Sequence, residues 1–302
     1  MAARVRQKKL IDLSTLLDPQ KTIANLTDSI KGQGTIDGKL YAVGQYTSAI
    51  GIYANKKLLD AAGVTYPTTL AGAWTAEEFT AAVKTLAARN TVLPGKSLDL
   101  KLNYARGGKG GLTGEFGTYA FTPLVWSAGG DVLQNGKAAG ALNGDATVKA
   151  FETVASWRPY VTPNTDDRDF REGKVALSYV GHWAYPDYSK ALGKDLLALP
   201  LPNLGTGTKT STGSQAWGIT PNSKNPKAAA AFLDYLMNDQ NVAAVVAANR
   251  APPATLTAGY PTVTKQFGEA LDKVFKGAPA KATLDAAAQA IDTDFTEHGG
   301  YT

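Results

Sequence analysis

Residues 174–186 read Lys174-Val-Ala-Leu-Ser-Tyr-Val-Gly-His-Trp-Ala-Tyr-Pro186. The first seven form a short, nearly continuous apolar run rich in strand formers, the composition of a strand buried on both faces. Gly181 ends the run, and His182, Trp183 and Tyr185 follow at once. Aromatic and polar groups therefore stand just beyond a strand's carboxyl end, where crevices form in open α/β sheets.

The flanking segments alternate in the same way. Residues 147–157 have the spacing of an amphipathic helix, and 119–126 read as a buried helix stopped at Gly129-Gly130, where glycine takes the left-handed conformation. Further upstream, residues 39–43 and 50–54 are strand candidates flanking the polar aromatic break Gly44-Gln-Tyr-Thr-Ser48. Thr75-Ala-Glu-Glu78 is a capping box, and Phe79, Val83 and Leu86 continue it at helical spacing, predicting a helix to about Arg89. Downstream, residues 196–201 and 215–220 are further strands. Asn225-Pro226 opens a helix with proline in its first turn and Ala229, Phe232, Leu233 and Leu236 expected on its core face. Helices near 239–249 and 284–295 close the chain. Strands and helices alternate without an internal repeat, which predicts an α/β fold.

At 302 residues the chain exceeds the size one core serves efficiently, which favours two lobes. Its 31 Lys plus Arg against 26 Asp plus Glu give a net charge of +5, too dilute for a nucleic-acid footprint. The absence of cysteine excludes disulfide scaffolds, cysteine–zinc sites, iron–sulfur clusters and thiol catalysis. The longest purely apolar stretch, 242–248, falls far short of the roughly 20 residues needed to span a bilayer. The basic start, Met1 to Lys9, is followed by a segment broken by Asp12, so no export signal is read in it.

Signals for catalysis are weak. Two histidines, His182 and His298, with no HExxH, give no basis for expecting a metal, and neither GxSxG nor GxGxxG occurs. The glycine-rich stretch 107–114 lacks a Ser or Thr after Lys109 and reads as a turn rather than a phosphate loop. Glu115, Asp166, Asp167 and Asp187 are candidates for a glycosidase pair, with surface solvation as the alternative. Aromatic placement is more telling. Tyr46, Tyr119, Trp126, Trp183, Tyr185 and Trp217 fall at strand ends, in the 44–48 break or beside glycine-rich breaks, where a ring can stack on a sugar face. Ser48, His182, Gln215, Glu115 and Asp167 would add directional hydrogen bonds. Packing in a core or between lobes is the competing role for each ring.

Several blocks together carry a resemblance. They are Asp37-Gly-Lys-Leu-Tyr-Ala-Val43 with Tyr53-Ala-Asn-Lys-Lys-Leu-Leu59, Leu124-Val-Trp-Ser-Ala-Gly-Gly130, Phe170-Arg-Glu-Gly-Lys-Val-Ala-Leu-Ser-Tyr-Val-Gly-His-Trp183, and Gly213-Ser-Gln-Ala-Trp-Gly-Ile219 followed by Asn225-Pro226. Over roughly residues 10–295 the chain resembles the extracytoplasmic solute-binding proteins of ABC transporters, in the carbohydrate-binding family that includes maltose-binding protein. The resemblance implies a periplasmic-binding-protein-like fold of two α/β lobes, 1–47 plus 213–262 and 48–212 plus 263–302, closing by hinge motion about crossings at 46–50 and 213–217. It implies a binding protein without cofactor or catalysis, located outside the cytoplasm, that holds a carbohydrate in the cleft and delivers it to ABC transporter permease subunits.

Within that resemblance Trp183 is the ring that stacks on the sugar, Ser48 contributes from the crossing, Tyr119 lines the cleft, and Tyr260, ahead of the penultimate helix, is a further candidate. Family members carry two to three β–α units before the segment matching Leu10-Ile-Asp-Leu-Ser14. The first lobe is therefore expected to be incomplete and to expose apolar side chains. A glycan-active hydrolase and a remnant without binding activity are the competing readings.

Overall fold

A computed structural model describes residues 1–100, 112–164, 166–213, 215–248 and 260–299. Most of the glycine-rich stretch, residues 107–111, lies outside them, as do residues 249–259 and the side chain of Tyr260. The chain divides into two compact units, Met1–Ala49 with Ser211–Pro261 and Ile50–Thr210 with Thr262–Gly300.

Unit 1 opens with α1 (Ala2–Arg6), a π-helical turn at Pro19–Ile23, α2 (Asp28–Gly34), β1 (Thr35–Ile36), β2 (Lys39–Leu40) and β3 (Val43–Gly44). The long strand β4 (Ser48–Asn55) carries the chain into unit 2. There follow α3 (Lys56–Ala62), α4 (Ala76–Arg89), β5 (Leu98–Asp99), α5 (Glu115–Ser127), α6 (Asp145–Ser156) and α7 (Arg168–Arg171). Next come β6 (Leu177–Gly181), α8 (Tyr185–Leu192) and β7 (Leu196–Leu199). The chain returns to unit 1 for β8 (Thr212–Gly213), β9 (Ala216–Trp217), α9 (Pro226–Leu236) and α10 (Asp239–Ala248), and ends with α11 (Tyr260–Phe275) and α12 (Ala280–Glu297).

The sheet of unit 2 has the order β5-β6-β4-β7. It is mixed, because β4 runs against both neighbours, pairing Ile50↔Gly181 through Ala54↔Leu177 with β6 and Ile52↔Leu199 through Asn55↔Leu196 with β7. Only β5 and β6 are parallel within it. All five residues of β6 are buried, and alternation sends its side chains to both faces. Val180 packs with Tyr53, Phe170 and Tyr188 on one face, while Tyr179 meets Phe121 of α5 on the other.

Local signals in the sequence are realised where they are strongest. Thr75 Oγ1 accepts from the Glu78 amide at 3.1 Å and a Glu78 carboxylate oxygen accepts from the Thr75 amide at 2.8 Å, so two orphan donors at the start of α4 are satisfied. At the end of α5 the amides of Gly129 and Gly130 return to the carbonyls of Trp126 and Val125, with Gly129 at φ +85°.

Unit 1 is built from shorter pieces. Its own pairs are β1 with β2 and β3 with β9, all antiparallel and two residues long. The strand expected over 39–43 splits into β2 and β3, because the Tyr41 amide turns to the Gly34 carbonyl between them. The core face expected for α9 holds in part: Leu233 is buried and Ala229 and Leu236 pack half-buried on the same core, where Ala230 and Met237 join them, but Phe232 requires correction, being 55% exposed. Phe232 fits the apolar spacing of 229, 233 and 236, so spacing alone did not show that it falls at the edge of the face that packs.

Candidate functional site

β6 ends at Gly181, and a single 3-10 turn, His182–Ala184, leads into α8. Trp183 folds back over the strand end: a Cβ placed on Gly181 would stand 1.8 Å from Trp183 Cζ3. Gly181 has φ of −80°, open to any residue, so the demand for glycine here is one of space. Tyr119 of α5 faces the indole with ring centroids 6.3 Å apart and planes at 37°. Trp183, Tyr119 and His182 are each half-buried, with Trp183 Nε1, Tyr119 Oη and His182 Nε2 on the inner side.

Two sets of contacts position this pair. Phe121 stacks on Tyr179 at 4.9 Å with planes 3° apart, and Tyr179 Oη donates to the Ala120 carbonyl at 2.6 Å. The segment of α5 that bears Tyr119 is thereby fixed on the strand that leads into Trp183. On the buried face of α8, Tyr188 packs edge-on to Tyr53 at 5.2 Å and against Phe170 at 4.7 Å. Its hydroxyl lies 2.9 Å from Ser178 Oγ and 3.4 Å from Asp167 Oδ2. Burial pushes the phenols of Tyr53, Tyr179 and Tyr188 up, so each stays protonated and able to donate at neutral pH.

The remaining candidates of unit 2 are distributed around this platform. Asp167 is buried, and its Oδ1 accepts from Arg171 Nε at 2.7 Å. Asp166 bonds Arg168 at 2.7 Å, and that hydrogen bond holds its carboxyl below the usual carboxylate range. Glu115 and Asp187 are exposed in the first turns of α5 and α8. Trp126 is half-buried with its Nε1 donating to Asp131 at 3.1 Å, and Tyr185 is 55% exposed at the start of α8. Among the described residues no group of three metal-ligating side chains exists.

In unit 1, Gln45 and Tyr46 line a cavity of about 320 Å³ with Thr22, Asn25, Ile30 and Met237, and burial pushes the Tyr46 phenol up. Gln45 is engaged at both ends of its amide: Nε2 donates to the Leu236 carbonyl at 2.8 Å, and Oε1 accepts from Trp217 Nε1 at 3.3 Å. Trp217 itself is half-exposed on β9, and Gln215 beside it is exposed. Ser48 is buried, and its hydroxyl has no hydrogen-bond partner among the described residues. The side chain of Tyr260 lies outside them.

Sequence reasoning read Gly181 only as the end of a strand and assigned no role to Tyr179 or Phe121. A signal existed: Leu177, Tyr179 and Gly181 share one face of β6, and a glycine on a face of bulky residues marks a place filled by something else.

The chain matches the family described as bacterial extracellular solute-binding protein over residues 1–291. It is 28% identical over 251 residues to the maltodextrin-binding protein MdxE of Bacillus subtilis, a match covering 81% of this chain and 57% of that protein. The chain thus spans little more than half the length of that relative. Among solved structures it is similar to the cyclic α-maltosyl-1,6-maltose binding protein from Arthrobacter globiformis, with a TM-score of 0.70 and 24% identity over 97% of this chain and 81% of that one. It is likewise similar to the ABC substrate-binding protein Lmo0181 from Listeria monocytogenes in complex with cycloalternan, with a TM-score of 0.79 and 17% identity over 98% and 82% of the two chains. These likenesses show the periplasmic-binding-protein-like fold that the sequence blocks implied.

Proposed function

This chain belongs to the bacterial extracellular solute-binding protein family, and we propose that it binds a maltodextrin-like oligosaccharide and hands it, unaltered, to the permease subunits of an ABC transporter outside the cytoplasm. The observation that carries the reading is the Trp183 ring seated on Gly181 and facing Tyr119. A hexose presents an apolar C–H face that stacks on such a ring, while its hydroxyls take hydrogen bonds from polar groups at the rim. His182 is the polar side chain next in sequence to the ring. The maltodextrin-binding relative supports this ligand class. A binding role without bond cleavage is supported by the state of Asp167, whose carboxylate is already engaged by Arg171 and Tyr188.

Calorimetric titration with maltose through maltoheptaose tests the reading. The parent chain is expected to bind, and Trp183→Ala to lose on the order of 1–3 kcal/mol, by analogy with the stacking of bases on aromatic side chains. The ring also packs against the cluster of Tyr53, Phe170 and Val180, so a modest fall in melting temperature should accompany the loss, and binding is read on the folded variant. Failure of the parent to bind any glucan overturns the proposal. Release of new reducing ends, abolished by Glu115→Gln or Asp167→Asn, would favour a hydrolase instead.

A further inference from the structure

We propose that Thr210 is a positioning residue for Trp183, an inference that rests on the carbohydrate-binding reading of the Trp183–Tyr119 platform. Gly181, the seat of the Trp183 ring, is the register partner of Ile50. That pair is the last rung of the β4–β6 ladder. Terminal rungs open first unless something restrains them from the other side.

On its other side, Ile50 lies where β4 changes partner. Ser48 and Ala49 pair with Gly213 and Thr212 of β8, and pairing resumes only at Ile52, with Leu199 of β7. The partner chain runs from Leu199 out through residues 200–211 and back, so neither β7 nor β8 stands opposite Ile50. A strand amide and carbonyl in such a gap are costly to leave unpaired.

Thr210 fills the gap with a single atom. Its Oγ1 accepts from the Ile50 amide at 3.1 Å and donates to the Ile50 carbonyl at 2.8 Å. One hydroxyl therefore takes both roles that a neighbouring strand would supply, which only a group that is donor and acceptor together can do. The route to the ligand surface is short. Thr210 Oγ1 holds the Ile50 backbone, Gly181 faces Ile50 as the non-hydrogen-bonded pair that ends the ladder, and the Trp183 ring lies over Gly181. Thr210 is itself exposed, so its side chain can be changed without opening a core.

The test combines amide exchange with a double-mutant cycle. In the parent the Ile50 amide should be protected; in Thr210→Ala it should exchange about tenfold faster, and Thr210→Ser should restore protection. Maltoheptaose affinity should weaken several-fold in Thr210→Ala, return in Thr210→Ser, and show no further loss when Thr210→Ala is added to Trp183→Ala. An Ile50 amide that exchanges alike in the parent and in Thr210→Ala overturns the clasp. Faster exchange with unchanged affinity, or equal losses in the presence and absence of Trp183, overturns the positioning role. If the parent binds no glucan, the carbohydrate reading and the positioning role fall together, and the exchange comparison still decides whether the clasp exists.

Discussion

In unit 2 the eight-residue strand β4, which lies there from Ile50 on, pairs on both sides and β6 is buried at every residue, whereas the strands that begin and end within unit 1 are two residues each. The consequence appears in what holds each unit's aromatic residues. The rings of unit 2 are fixed by a continuous ladder and by one another, as Tyr179 is by Phe121 and Tyr188 by Tyr53. Unit 1 relies on side chains that satisfy backbone groups across long sequence separations. Asp234 accepts from the Asp18 amide at 3.0 Å and the Thr22 hydroxyl at 2.6 Å, and Ser14 Oγ accepts from the Leu40 amide at 3.0 Å. Exposed apolar side chains do not separate the units: among the described residues Trp217, Phe232 and Tyr235 are exposed in unit 1, and Leu70, Val92 and Tyr185 in unit 2. A ladder distributes restraint over many bonds; a single side chain concentrates it in one.

The contrast is broken most directly by truncating a ring on each side of it. Phe121→Ala should cost unit 2 about 3–5 kcal/mol in denaturant unfolding, because the side chain is buried and stacked. A loss below 1 kcal/mol would show that the ladder does not depend on its rings.

Alkaline titration addresses the same anchors. The folded pKa values of Tyr53, Tyr179 and Tyr188 are raised above the ordinary 10.0, chiefly by burial, so the unfolded chain loses these protons first. Their contribution is whole below pH 10 and declines as pH rises beyond it, by about 1.4 kcal/mol per pH unit for each tyrosine. Urea midpoints between pH 8 and 11 should therefore be level up to about 10 and then fall, with unit 2 signals leading. A fall that began near pH 8 would place the cause elsewhere.

For unit 1, Asp234→Ala should cost about 1–3 kcal/mol by leaving the Asp18 amide and the Thr22 hydroxyl without their acceptor. Faster amide exchange confined to residues 18–23 would sharpen the comparison; exchange spread evenly over both units would erase it. The smallest effect is expected for Phe232→Ala, within about 0.5 kcal/mol, because the ring faces solvent. A cost of several kcal/mol there would mean that this face is covered in solution.

Much of the architecture was legible where a few neighbouring residues carry the whole signal. The Thr75–Glu78 box and the Gly129-Gly130 stop were readable because both partners of each bond lie within a helical turn or two. The strand before Trp183 was readable because its apolar run is short and ends in glycine. The exposure of Phe232 on α9 was not, since it fits the apolar spacing of Ala229, Leu233 and Leu236 and only the neighbouring core leaves it outside. The place of Asp167 was not legible either. Its runs of neighbouring acids suggest a solvated surface, yet Tyr188 and Arg171 draw it inside.

By itself the sequence determined the start of α4, the end of α5, and the placement of an aromatic cluster after a buried strand, because each depends on residues a few positions apart. Tertiary structure alone decided which groups meet. Tyr179 reaches the Ala120 carbonyl across 59 positions, and Thr210 reaches Ile50 across 160. Such meetings depend on strand register, in which a slip of one residue turns every side chain to the other face. Register is set by the whole ladder and the turns that join it, so no local stretch of the chain encodes that Gly181 lies opposite Ile50 and beneath the ring of Trp183.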